Sequence, residues 1–204
     1  MERLIAATVL AAFCATPLPA QRPVPAGVVV SGTLRFDGRA SLGDFSGITT
    51  TVTGMMTGGA DLRTVRGWVE APTITLKTGN GKRDRDMEAS LEARRYPTIR
   101  FDLDSVSPHQ EAGDSATVTL SGRLTIHGVT RDVAFPATIR FESGRLRLRS
   151  SVSLLLTDYQ IGGLSKMFGL LRMYPDIVVR VELVFAAAAA ARPEAAPGGT
   201  PPAS

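Results

Sequence analysis

Cysteine is nearly absent from this sequence: the 204 residues contain one, Cys14, together with only two histidines, His109 and His127. Zinc sites need three or four His, Cys or carboxylate ligands, so this inventory argues against a metal centre. A hydrolase needs a nucleophile with a base beside it. His109 reads as part of a polar loop, SPHQEAGD, and His127 as part of a hairpin turn, and neither has the spacing of a triad. No cofactor motif appears. Dense cationic clusters are also missing. Basic residues outnumber acidic ones 23 to 19, and they are spread along the chain, which does not suit nucleic acid. No apolar run beyond the first twenty residues reaches the ~18 needed for a membrane-spanning helix. What remains is ordinary globular composition, 44% hydrophobic and 21% charged, with 20 glycines and 13 prolines that imply many turns. The length suits one substantial core.

The two ends read differently from the middle. Residues 1–20 carry Arg3, an apolar stretch from Leu4 to Ala15, and then Pro17, Leu18, Pro19 and Ala20. This pattern predicts a secretory signal peptide cleaved after Ala20. Cys14 follows Phe13 rather than a small residue, which does not suit lipidation. Cleavage at Ala20 would leave a chain without cysteine, exported yet held together without disulfides. Residues 21–26 read as a short linker. Residues 186–204, Ala- and Pro-rich, read as a disordered tail, since Pro193, Pro197, Pro201 and Pro202 interrupt any helix.

Between them, residues 27–185 alternate with a period of two. Ile99, Phe101 and Leu103 are apolar against charged Arg100, Asp102 and Asp104. Val118, Leu120, Leu124 and Ile126 repeat the pattern, and after His127-Gly128 it resumes with Val129, Val133, Phe135, Ile139 and Phe141. A two-residue link ending in glycine fits a tight hairpin. Leu146 to Leu156 and Ile177 to Phe185 give two more strands. Val30 to Phe36, Phe45 to Met56 and Val65 to Leu76 give three in the first half. Strands with one apolar and one polar face favour an antiparallel sheet, and eight of them can close into a barrel. The spacing predicts a helix over Arg83–Arg94, between the third and fourth strands, ending before Tyr96-Pro97. Gly162–Met173 reads as a loop or short helix before the last strand. The Arg145, Arg147 and Arg149 row reads as the outer face of a strand.

Three stretches resemble one family in order along about 150 residues. Thr78, Gly79, Arg83, Asp84, Met87, Tyr96, Pro97, Ile99 and Phe101 resemble the central motif of the YceI-like proteins. Leu120–Pro136, LSGRLTIHGVTRDVAFP, is similar to their "G-x-LTI-x-GVT-x-x-V" hairpin. Thr157-Asp158-Tyr159-Gln160-Ile161 resembles their "R-x-D-(F/Y)-G-I" segment, with Thr157 in place of Arg and Gln160 in place of Gly. The resemblance implies an all-β, eight-stranded, lipocalin-like antiparallel barrel, periplasmic or secreted. It also implies a polyisoprenoid or other amphiphilic lipid as partner.

The candidate ligand-binding lining is Phe45, Met55, Trp68, Leu156, Met167, Phe168 and Leu170, which mix aromatics with pliable Met and Leu. Arg83 and Asp84 are candidate head-group contacts. The alternative for these two is an ion-pair and capping network at the helix start. The expected function is an exported carrier or buffer of an apolar chain, a monomer or homodimer, and not an enzyme. The alternative is a solid-core barrel serving as an envelope stress or protein-interaction module. An outer-membrane barrel is disfavoured, because outward charges such as Arg100, Asp102 and Arg123 would each cost ~2–4 kcal/mol at the bilayer midplane.

Overall fold

A computed structural model describes residues 23–41, 43–162, 165–166 and 171–187. The predicted signal peptide, most of the predicted tail, and Met167, Phe168 and Leu170 lie outside the described residues.

The alternation becomes ten strands: β1 (Gly27–Ala40), β2 (Phe45–Thr49), β3 (Thr53–Met56), β4 (Gly67–Pro72), β5 (Thr98–Ala112), β6 (Ser115–Ile126), β7 (Val129–Glu142), β8 (Arg145–Leu155), β9 (Ser165–Lys166) and β10 (Leu171–Ala186). Among the described residues one α-helix, α1, spans Gly81–Ser90. The sheet runs β2-β1-β3-β4-β5-β6-β7-β8-β10-β9, and β1 also pairs with β10. That last pairing closes eight strand positions into an antiparallel barrel and leaves no long free edge.

Several details depart from the sequence expectation. Phe45–Met56 is not one strand. β2 pairs with Leu34–Gly38 of β1, whereas β3 pairs with Gly27 and Val28 at its other end. The two pieces share one strand position, broken at residues 50–52. The third predicted strand, Val65–Leu76, shortens to Gly67–Pro72, because Pro72 has no N–H for the ladder and a single 3-10 turn follows at Thr73–Thr75. The helix begins two residues early because the Asn80 side chain accepts from the N–H groups of Lys82 and Arg83, both at 3.1 Å. It ends at Ser90, and Glu92 then turns left-handed at φ 43°. His109 is not in a loop: β5 continues through it to Ala112, with register shifts after Leu103 and Pro108. This end of β5 is polar on both faces, so alternation does not reveal it.

Two hairpins are set by their turn residues. His127 and Gly128 have φ of 52° and 73°, and Ser143 and Gly144 have 31° and 80°. Paired left-handed residues match the twist of the flanking strands.

The apolar faces meet inside in two clusters. At the end distant from α1, Val24, Leu62 and Val65 plug the barrel against Val118, Leu120, Ile139 and Phe185. A turn capped by Asp61, which accepts from the N–H groups of Arg63 and Thr64, holds Leu62 there. At the α1 end, Phe36, Leu124, Ile126, Leu156, Ile177 and Val179 form the second cluster. Outside, Arg147 pairs with Glu142 and Glu182, and Arg149 with Glu182. The arginine row is thus an outer-face ion ladder.

Candidate functional site

The barrel wall is not filled to its axis. A cavity of about 530 Å³ runs through the two clusters, within the ~300–1,000 Å³ usual for small-molecule sites. Its middle is lined by Leu34, Phe101, Leu124, Val152, Val179 and Val181. These are inward positions of five of the eight strand courses, so the alternation that builds the barrel also makes the lining apolar. Ala40, Gly43, Phe45, Lys82, Arg83 and Met87 border the mouth, where α1 crosses the barrel end.

Phe45 stands at this mouth. Its ring meets Phe36 edge-on, with centroids 6.2 Å apart and planes at 75°. Gly47 makes room for this pair. A Cβ there would lie 2.2 Å from a Phe36 ring carbon, so glycine alone lets Phe36 cross the strand. The Arg83 guanidinium lies 5.2 Å from the Phe45 ring centre, within cation–π range. Leu156, buried in the turn after β8, also lines the cavity.

The other named residues are placed differently. Met55 and Trp68 border the cavity as parts of its wall. Strand alternation nevertheless turns their side chains outward: they are cross-strand partners, Met55 is 46% exposed, and the adjacent Met56 and Val69 belong to the core. Trp68 lies beneath the guanidinium of Arg100 at 4.5 Å, and Arg100 in turn holds Glu70 and Asp102 on that outer face. Asp84 does not face the cavity mouth as a free carboxylate. It accepts from the N–H and Oγ1 of Thr78 at 2.8 and 2.6 Å, and those bonds hold its carboxyl below the usual carboxylate range. Its position in the first turn also suits the helix dipole. Arg83 and Asp84 therefore part company, the first toward the mouth and the second into the helix anchor.

A second assembly near the mouth was not singled out as a unit by sequence reasoning. His127 faces the carbonyl of Tyr159 through Nδ1 at 3.1 Å and Oε1 of Glu92 through Nε2 at 3.2 Å. The Tyr96 ring meets it edge-on, with centroids 4.7 Å apart. Tyr159 is only 2% exposed, and burial pushes its hydroxyl pKa up. These residues fall in the three stretches that carried the resemblance, so those motifs converge on one end of the barrel. Gln160, where a glycine is usual, adopts φ 55°, which explains that preference. His109 shares a hydrogen bond of 2.7 Å with Thr119 Oγ1 on the exposed far part of the β5–β6 pair. Among the described residues no group of three or more His, Cys, Asp or Glu could hold a metal ion.

A closed antiparallel barrel of eight strand positions, with an apolar cavity opening beside a short helix, defines a lipocalin-like fold. The YceI-like domain matches residues 28–185, and the chain belongs to that family. A UPF0312 protein of Pseudomonas putida strain F1 is 31% identical over 103 residues, covering 47% of this chain and 52% of that one. The chain thus spans about half the length of the curated relatives it matches. Two solved structures share the fold. A polyisoprenoid binding domain from Saccharophagus degradans superposes with a TM-score of 0.67 at 14% identity, over 80% of this chain and 99% of that one. BcnA of Burkholderia cenocepacia gives 0.64 at 13% identity, over 75% and 95%.

Proposed function

We propose that this protein binds an isoprenoid-type or other amphiphilic lipid chain inside its barrel and acts as an exported carrier or buffer, not as an enzyme. The observation that carries this reading is the 530 Å³ apolar cavity whose mouth sets Arg83 over Phe45. An apolar chain fits the interior, and a polar or anionic head can remain at the rim near Arg83 and Lys82. The superposable Saccharophagus degradans domain, described as polyisoprenoid binding, supports the same class of ligand. The leader-like residues 1–20 support export to the periplasm or beyond.

Energetics favour exchange over permanent capture. Moving one isoprene unit out of water gains about 4 kcal/mol, at ~0.8 kcal/mol per carbon. A lipid starts in a bilayer, so its transfer into an apolar barrel is close to neutral, which lets a carrier release its load. The test is native mass spectrometry of protein purified from its own envelope without detergent, with solvent extraction of the same sample. An added mass that is lost on denaturation and recovered as a defined lipid supports the carrier. A bare polypeptide mass, with an extract free of lipid, overturns it in favour of a ligand-free interaction module.

A further inference from the structure

We infer that the mouth end of this barrel docks on the surface of an anionic lipid bilayer. The inference goes beyond the carrier reading, because it concerns the outside of the rim and not the cavity.

Of the six exposed large apolar side chains among the described residues, Val30 and Met55 lie at the end away from the mouth and four lie at the mouth end. Leu155 is 47% exposed, Tyr174 42%, Ile48 43% and Ile74 57%. All four belong to the mouth end. Leu155 closes β8 and faces Asp176 of β10, two residues beyond Tyr174. Arg39 near the end of β1 lies 5.5 Å from the Tyr174 ring and bonds Asp176 at 2.5 Å. Ile48 of β2 is backbone-paired to Lys77, and Ile74 sits in the turn that follows β4. The courses β8, β10, β2 and β4 thus carry exposed apolar side chains at this end, and β1 between β10 and β2 adds Arg39. Isolated exposed apolar residues need no explanation, but an arc beside the cavity opening does.

Charge on α1 is sorted by face. Lys82, Arg83 and Arg85 are exposed, whereas Asp84, Asp86 and Glu88 are half-buried. Asp84 is engaged by Thr78 and Glu88 by Lys77 at 2.8 Å. Just beyond the helix, exposed Glu92 is held by His127 and Arg95. Along this arc, among the described residues, Asp44 and Asp158 are exposed, and Asp176, with its side chain 45% exposed, is paired to Arg39. The helix therefore shows solvent its cations, next to apolar side chains at the same end. Apolar area combined with outward Lys and Arg is what binds an anionic membrane interface. The geometry also has a use. A chain passing from bilayer to barrel through water would expose its apolar length, and a mouth seated on the bilayer avoids that crossing.

The test is co-sedimentation of the purified protein with vesicles of phosphatidylcholine alone and of phosphatidylcholine with phosphatidylglycerol. Binding is expected to the anionic vesicles, to weaken with salt, and to fall about tenfold in Lys82→Glu/Arg85→Glu. Ile74→Ser/Leu155→Ser should weaken it similarly, while Val30→Ser, an exposed apolar change at the opposite end, should not. Circular dichroism checks that each variant is folded. No binding to anionic vesicles overturns the inference, as does loss caused equally by Val30→Ser. Concentration-dependent self-association that is abolished by Ile74→Ser/Leu155→Ser, without vesicle binding, overturns it in favour of a second copy. Lipid uptake from solvent-dispersed chains without vesicle binding removes docking and leaves the carrier standing. Vesicle binding by a protein that takes up no lipid does the reverse.

Discussion

His127 points its Nε2 at Oε1 of Glu92, 3.2 Å away, and the contact joins two left-handed backbone positions, at φ 52° and 43°. The other ring nitrogen reaches the carbonyl of Tyr159, which precedes left-handed Gln160. Non-glycine residues of this kind each carry a conformational cost of roughly 1–2 kcal/mol, so the bonds and packing around the ring must hold them. The side chain is 10% exposed, and one ring N–H hydrogen bond of ~1 kcal/mol and the edge-on packing against Tyr96, also worth about 1 kcal/mol, depend on it. His127→Ala should therefore lower stability by about 2 kcal/mol in urea unfolding. His127→Asn, which suits the left-handed turn, should recover part of that loss. Unfolding curves unchanged in both variants would remove the latch from the account.

Asp84 should contribute to stability in a pH-dependent way. Thr78 holds its carboxyl below the usual range, through its side chain first and its backbone second. A carboxyl depressed by folding stabilises the protein at pH above its unfolded value, near 3.8, and that contribution is lost as pH falls through the folded value. Asp84→Asn should lower the melting temperature at pH 7 and have less effect at pH 3. An equal loss at both pH values would assign the role to shape rather than charge.

Val181 packs against both apolar clusters and lines the cavity between them. Val181→Trp should fill that space. Far-UV circular dichroism should stay unchanged, and stability should fall by about 1–3 kcal/mol from overpacking. Uptake of a fluorescent prenyl or fatty chain should drop at least about tenfold, a loss of about 1.4 kcal/mol in binding. Undiminished uptake by a folded variant would place the ligand elsewhere.

Trp68 is the chain's only tryptophan and lies against Arg100. Arg100→Ala should uncover the ring, shift its emission to the red and raise acrylamide quenching, at a stability cost of roughly 0.5–1 kcal/mol. Because the ring faces outward, loading the cavity should leave its emission nearly unmoved. A large emission change on lipid uptake would place the ring inside.

The strand pattern was legible because burial in a barrel repeats every two residues. Ile99-Phe101-Leu103 and Leu124-Ile126 announced both the sheet and its inner face. The His127-Gly128 turn was equally readable, since a tight hairpin needs left-handed residues. The polar end of β5 around His109 was hidden, because strand beyond the core is solvated on both sides and shows no alternation. The site was less legible than the fold. Composition picked Met55 and Trp68 as lining by residue type, but facing is a matter of register, and pairing with Val28 and Asp102 turns them outward. Sequence also grouped Arg83 with Asp84 as neighbours. Only the helix, with about 100° between successive residues, sends one over Phe45 and the other to Thr78. Sequence alone determined that this chain is an antiparallel barrel with an apolar inside. Whether that inside leaves a cavity, and what surrounds its mouth, depended on how strands far apart in the chain close on one another, and local pattern does not carry that information.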